Sequence, residues 1–197
     1  LRVRNPAPDK VLLKHEAGQG FSGPSGFWLT NPDNTIVNNA AADCRGPGFW
    51  LAYPDKPLGL SKKVKVSPDN TPHGAFEYNR SHSNLGSGAL IENVPIDDLG
   101  NTQLHKYTPT ENGEEATNEN VVRFEIKGST LFKNFEGGYR NRVTLPDYVE
   151  WVVADNYGTA LAGQVDHGNF TRSLVIGASL NNRKPYPNAY PYNPYGA

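Results

Sequence analysis

Gly26-Phe27-Trp28-Leu29 returns as Gly48-Phe49-Trp50-Leu51, 22 residues further along the chain. A repeat of that length marks a solenoid, in which each unit buries its apolar face only against its neighbours. Between the copies, Asn34-Thr35-Ile36-Val37-Asn38-Asn39-Ala40-Ala41-Ala42 reads as a short strand, an Asn turn and a small-residue stretch. Three short strands and their bends fill about this many residues in one coil of a parallel β-helix.

The pattern continues more loosely. Asn84-Leu85-Gly86-Ser87-Gly88-Ala89-Leu90-Ile91 resembles Asn134-Phe135-Glu136-Gly137-Gly138-Tyr139-Arg140-Asn141, and both resemble Asn156-Tyr157-Gly158-Thr159-Ala160-Leu161-Ala162. An apolar strand precedes each (Ala75 to Tyr78, Ser129 to Phe132, Val149 to Val153). Asn repeated at one bend stacks its amides from coil to coil, and Gly supplies backbone angles that other residues resist. Taking Gly48, Gly88, Gly138 and Gly158 as equivalent gives separations of 40, 50 and 20 residues. The long gaps contain 54–72 and 94–120, rich in Pro, Asp, Glu, Asn and Lys. These read as loops inserted into individual coils and projecting from one face, where solenoids often bind.

The expected fold is therefore all-β: a right-handed parallel β-helix of about 22 residues per coil over 1–183, with two long inserted loops. A Pro/Tyr-rich segment, 184–197, follows. Pro185, Pro187, Pro191 and Pro194 forbid ladder pairing and favour extended conformers. That segment is either a strap docked through its tyrosines or a linker.

Composition agrees and excludes several functions. Twenty Gly and 16 Pro in 197 residues suit turns rather than helix interiors. Net charge is −1, without the basic excess a nucleic-acid binder needs. Mean hydropathy is −0.61 and the apolar runs are short, so no membrane span is expected. With no Met, Leu1 reads as a processed or excised start, and the single Cys44 offers neither an internal disulfide nor a metal cluster. Sequons at Asn79-Arg80-Ser81 and Asn169-Phe170-Thr171 make Asn79 and Asn169 candidate glycosylation sites and favour an extracellular or cell-surface location.

The run from Gly26-Phe27-Trp28-Leu29-Thr30-Asn31-Pro32-Asp33-Asn34 to Ala42, then Gly48-Phe49-Trp50 and Arg80-Ser81-His82-Ser83-Asn84, resembles one group of extracellular β-helices. These are the relatives of the cell-migration-inducing hyaluronan-binding protein and transmembrane protein 2, including fibrocystin-like and bacterial proteins with a G8 module. The resemblance runs from about Phe21 to Ala178. It implies a right-handed parallel β-helix and, from the best-known members, hyaluronan binding or depolymerisation. No G8 module is present here, and no established catalytic residue of the family matches a position in this chain.

The residues themselves offer candidate chemistry. Trp28 and Trp50 occupy equivalent places in adjacent coils. Phe27 and Leu29 flank Trp28 and must point opposite to it, so an inward Phe/Leu pair puts both indoles outside as a platform for sugar rings, covered by a loop; the opposite choice makes them core. Glycan cleavage needs spaced carboxylates, or a base with a cation. Arg80, His82 and Glu92 are the catalytic candidates near the bends, with Asp155 and Asp166-His167 further on. Asp97 and Asp98 could hold Ca²⁺. An acidic polysaccharide such as hyaluronan needs cations along its path: Lys62, Lys63 and Lys65 share a loop, and Arg140 and Arg142 share a strand face. Phosphate loops, nucleophile elbows and zinc spacings are missing. Three functions remain: a polysaccharide-interacting domain of a larger hyaluronidase-like protein, a glycan-binding or adhesion module without catalysis, or a structural solenoid. In each, neighbouring modules of a parent protein are expected to cover the terminal coils.

Overall fold

The computed structural model describes residues 24–92, 94–97, 102–157, 159–177 and 179. Five coils of a parallel β-helix follow one another. The first has strands β1 (Phe27–Leu29), β2 (Thr35–Val37) and β3 (Ala40–Ala42), and the second β4 (Phe49–Leu51), β5 (Ala75–Glu77) and β6 (Arg80–His82). The third begins with β7 (Ser87–Ile91), detours through a hairpin of β8 (Val94–Pro95) and β9 (Thr102–Gln103), and resumes with β10 (Phe124–Lys127) and β11 (Thr130–Phe132). The fourth is β12 (Gly137–Val143), β13 (Pro146–Val149) and β14 (Val152–Ala154). The fifth is β15 (Thr159–Val165), β16 (Asn169–Thr171) and β17 (Leu174–Ile176). Corresponding strands stack into three five-stranded sheets: β1-β4-β7-β12-β15 (sheet 1), β2-β5-β10-β13-β16 (sheet 2) and β3-β6-β11-β14-β17 (sheet 3).

Alternation fills the interior. Phe27, Phe49, Ala89, Tyr139 and Leu161 are in register on sheet 1 and face inward. Tyr148 on sheet 2 and Leu131 and Val153 on sheet 3 meet that same core. Because the strands are parallel and in register, like stacks on like. Phe27 lies against Phe49 at 4.8 Å and 11°, and on the outer side His82 lies against Phe132 at 4.7 Å and 18°. On the last described coil, Phe170 and Val175 remain exposed.

Two left-handed bends recur along the helix, the first in all five coils and the second in the first four, and explain how such short strands turn corners. One lies between sheets 2 and 3, at Asn38, Tyr78, Gly128, Glu150 and Arg172; the other follows sheet 3, at Asp43, Ser83, Lys133 and Asp155. Holding non-Gly residues at φ near +55° is unfavourable. Asn residues that follow several of these bends offset that cost with ladders of side-chain bonds. After the second bend, Asn84 Oδ1 accepts from the Cys44 N–H, Asn134 Oδ1 from Asn84, and Asn156 Oδ1 from Asn134. The Asn134 amide also donates to Ser81 O, and that of Asn156 to Leu131 O. The Asn stack expected from sequence is this ladder. A second follows the first bend, where Asn79 Oδ1 accepts from Asn39 and its amide donates to Ile36 O.

One part of the sequence alignment is corrected. Arg140 pairs with Ala162 and Gly137 with Thr159, so Gly138 corresponds to Ala160 and not to Gly158. The fourth-to-fifth coil spacing is thus 22 residues, equal to the first. Glycine is demanded earlier in that row: a Cβ on Gly48 would sit 1.9 Å from Ser81 Oγ, and one on Gly88 2.6 Å from Gly138 O. Residues 184–197 lie outside the described residues.

Candidate functional site

On sheet 1 the inward turn of Phe27, Leu29, Phe49 and Leu51 throws Trp28 and Trp50 outward. Their outward row continues in register through Leu90 and Arg140. Two residues on, the same face carries Ala52, Glu92, Arg142 and Gln164. Both departures from the coil leave from this edge. Residues 52–74 separate β4 from β5 and contain a 3-10 turn at Gly59–Ser61, and residues 92–123 separate β7 from β10. Tyr107 restores the coil by bridging to Val143, with its hydroxyl donating to Thr71 O and its ring against Tyr53.

The departing segments fold back over the indoles. Trp50 and Trp28 are stacked at 5.4 Å and 13°, but their environments differ: Trp50 is 2% exposed and Trp28 46%. Trp50 packs with Ala52 and Leu90, and its ring N–H donates to Glu92 O at 3.2 Å. Trp28 lies in a cleft of about 430 Å³ walled by Pro57, Leu58 and Val64 from the first segment and by Pro95 and Asp97 from the second. Asn31 and Ser61 add polar groups there. An exposed aromatic face with aliphatic walls and a few polar atoms suits the apolar face of a sugar ring.

A second depression, beyond the β8–β9 hairpin, is lined by His105, Lys106, Arg142, Gln164 and Asp166. Here charges alternate. Glu136 meets Arg140 Nη1 at 2.7 Å, Arg140 Nη2 meets Glu92 at 2.8 Å, and Arg142 Nε meets Glu92 at 3.3 Å. Arg142 also bonds Gln164, Lys106 pairs with Asp166, and His105 with Asp69 at 3.0 Å. Burial pushes the Glu136 carboxyl above its ordinary pKa, against the pull of Arg140. Two guanidiniums and two carboxylates cancel, so the arginines are held in place and their charge is offset. Lys62, Lys63 and Lys65, by contrast, are exposed beside the Trp28 cleft.

The structure separates the proposed catalytic trio. Arg80 and His82 point outward from β6 on sheet 3, where His82 stacks on Phe132 and burial lowers its pKa. Glu92 lies just past β7 on sheet 1, 5% exposed and committed to Arg140 and Arg142. The three share no face because the coil turns a corner between β6 and β7. Asp97 lines the Trp28 cleft, whereas Asp98 lies outside the described residues. No group of three His, Cys, Asp or Glu suited to a metal ion occurs among the described residues. Asn79 is fully buried in its ladder, so glycan attachment there is incompatible with this fold. Asn169 is exposed on β16, bonded to Asp147 at 2.8 Å. Asp155 accepts from Ser179, and Asp166 is the partner of Lys106.

Sequence reasoning missed Leu58, Val64, Pro95 and Glu136. The apolar Pro57-Leu58 pair inside a lysine-bearing loop was the available signal for the wall. Nothing in the sequence linked Glu136 to Glu92 through Arg140, because that contact requires coils of unequal length to be aligned.

Residues 6–89 match the family model of the CEMIP beta-helix. The chain is 39% identical over 70 residues to the "Cell surface hyaluronidase CEMIP2" of Homo sapiens, covering 34% of this chain and 5% of that protein. It is 38% identical over 78 residues to the "Cell migration-inducing and hyaluronan-binding protein" of Mus musculus, covering 38% of this chain and 6% of that protein. Fibrocystin-L of Mus musculus matches more of this chain, 29% identical over 139 residues, covering 64% of it and 3% of the relative. The matched stretches are thus small pieces of much longer proteins.

Proposed function

We propose, for a chain whose residues 6–89 match the family model of the CEMIP beta-helix, that the outer face of sheet 1 is a glycan-binding surface of an extracellular or cell-surface protein. The observation that carries this reading is the half-exposed Trp28, backed by Trp50 and enclosed by two inserted segments. A sugar ring stacks its C–H face on the indole. Asn31, Ser61 and Asp97 lie within the same cleft to meet its hydroxyls. The exposed Lys62, Lys63 and Lys65 draw an acidic polymer towards the cleft. The relatives named for hyaluronan support that polysaccharide as the first ligand to try.

Arg140 and Arg142 have a secondary part. Glu92 and Glu136 fix their guanidiniums, leaving the remaining N–H groups for a ligand carboxylate beyond the hairpin. The test is binding of fluorescent hyaluronan oligosaccharides by the whole chain, compared with Trp28→Ala. Loss of binding by a variant that still melts cooperatively supports the reading. Undiminished binding places the contact elsewhere and overturns it. Incubation with high-molecular-weight hyaluronan, followed by size-exclusion chromatography, separates depolymerisation from binding alone.

A further inference from the structure

The segment Asp55-Lys56-Pro57-Leu58-Gly59-Leu60-Ser61-Lys62-Lys63-Val64-Lys65-Val66 carries a feature that glycan recognition does not use. Leu60 is fully exposed at its apex, and Val64 and Val66 beside it are exposed as well. Val64 and Val66 also line the Trp28 cleft; Leu60 does not. Lys56, Lys62, Lys63 and Lys65 lie in the same segment, all exposed, against its single carboxylate, Asp55.

The tip is held in shape. Leu60 sits within the 3-10 turn Gly59–Ser61, closed by Ser61 N–H to Leu58 O at 3.2 Å and by Lys62 N–H to Gly59 O at 3.4 Å. Val64 N–H to Ser61 O at 2.8 Å adds a further turn, and Asp69 N–H to Pro54 O at 3.1 Å closes the base. Gly59 has φ of +60°, so the turn itself calls for glycine there. An apolar side chain is thus presented to solvent on a preformed turn within a lysine-rich segment. Solvation of a lysine-rich loop explains the lysines but leaves the leucine unaccounted for.

We propose that this loop docks the protein onto an anionic phospholipid surface, with Leu60 entering the headgroup–acyl boundary and the four lysines lying against the acidic headgroups. The charge complementarity is that of polybasic surface segments, in which each lysine near the bilayer is worth roughly fivefold in affinity. Burial of one leucine in the interface adds on the order of tenfold or more. The lysine stems lie along the apolar boundary while their ammonium groups reach the headgroups. An acidic polysaccharide can also use the lysines, but it has no use for an apolar apex.

The experiment is co-sedimentation of the whole chain with vesicles of phosphatidylcholine alone and of phosphatidylcholine mixed with phosphatidylserine. Binding is expected only to the mixed vesicles. Leu60→Asp should lower it at least tenfold, and replacing Lys62 and Lys63 by Ser should lower it further. Leu60 makes no packing contact to lose, so an unchanged thermal transition should accompany the loss. Hyaluronan binding measured on the same Leu60→Asp protein should persist, because Trp28 is untouched. Three results overturn the proposal: no binding to phosphatidylserine vesicles, equal binding by wild type and Leu60→Asp, or loss of hyaluronan binding in Leu60→Asp. The last would make the apex a glycan contact.

Discussion

Trp28 and Trp50 form one parallel stack, with ring centroids 5.4 Å apart, yet only Trp28 meets solvent while Trp50 is sealed beneath the inserted segments. A two-residue repeat has been divided between two tasks by what folds over each copy. Trp50 fastens the second insertion through its bond to Glu92 O; Trp28 uses that stack as a rigid backing.

The same substitution should therefore have opposite consequences at the two sites. Trp50→Ala removes a buried indole and should cost about 3 kcal/mol or more in denaturant unfolding. Trp28→Ala forfeits mainly the stack and should cost at most about 1.5 kcal/mol, while abolishing glycan binding. Equal destabilisation by both would mean that Trp28 is a packing residue and not a platform.

The Asn ladder invites a test of cooperativity between coils. Asn134 accepts from Asn84 and donates to both Ser81 O and Asn156, all within the buried bend. Asn134→Ala leaves several buried partners unsatisfied, each worth about 1–3 kcal/mol. A loss of about 3 kcal/mol is expected in urea unfolding. Asn134→Asp, which keeps the acceptor but not the donors, should not restore it. Full rescue by Asp would mean that only the acceptor matters.

Glu92→Gln probes the charge ladder. Removing the carboxylate leaves Arg140 and Arg142 without their shared counter-ion, at a cost of about 2 kcal/mol; both guanidiniums keep some water, which softens the loss. It also uncovers positive charge on the outer face. Affinity for an acidic polysaccharide should rise, with a steeper dependence on salt concentration. A flat salt response would place the arginines outside the path of the ligand.

How far these relationships could be read from sequence depends on whether coil length is constant. Where 22 residues separate equivalents, as for Phe27/Phe49 and Trp28/Trp50, strand order and register were legible, while the choice between inward and outward indoles stayed open until the inward Phe and Leu were seen. Asn84, Asn134 and Asn156 were also recognisable, because a left-handed bend followed by a buried amide has few sequence solutions. Gly158 misled because glycine is required by close contact only in the earlier coils, and Ala160 occupies that register in the fifth. The covering of Trp50, the pairing of Glu92 with Arg140 and the burial of Asn79 all depend on how a departing segment returns. Local periodicity does not encode that route. A sequon reports only the residue pattern, and Asn79 shows how a coil bend can satisfy the pattern while hiding the amide.

The last prediction concerns acid. His73 lies against Phe124 with ring centroids 4.5 Å apart, accepts from the Tyr53 hydroxyl through Nε2 at 2.9 Å, and donates from Nδ1 to Gly74 O at 3.2 Å. Both bonds suit a neutral imidazole, and burial lowers its pKa to about 4 from the ordinary 6.5. In the unfolded chain the ring takes up a proton near its ordinary value, so below pH 6.5 unfolding binds more protons than the folded state. Stability from this group is fully present above pH 6.5 and is lost as pH falls towards 4, by up to about 3 kcal/mol. Urea midpoints should decline across that window, and His73→Gln should flatten the decline while lowering stability at neutral pH. If the slope survives in His73→Gln, the acid sensitivity belongs to other groups.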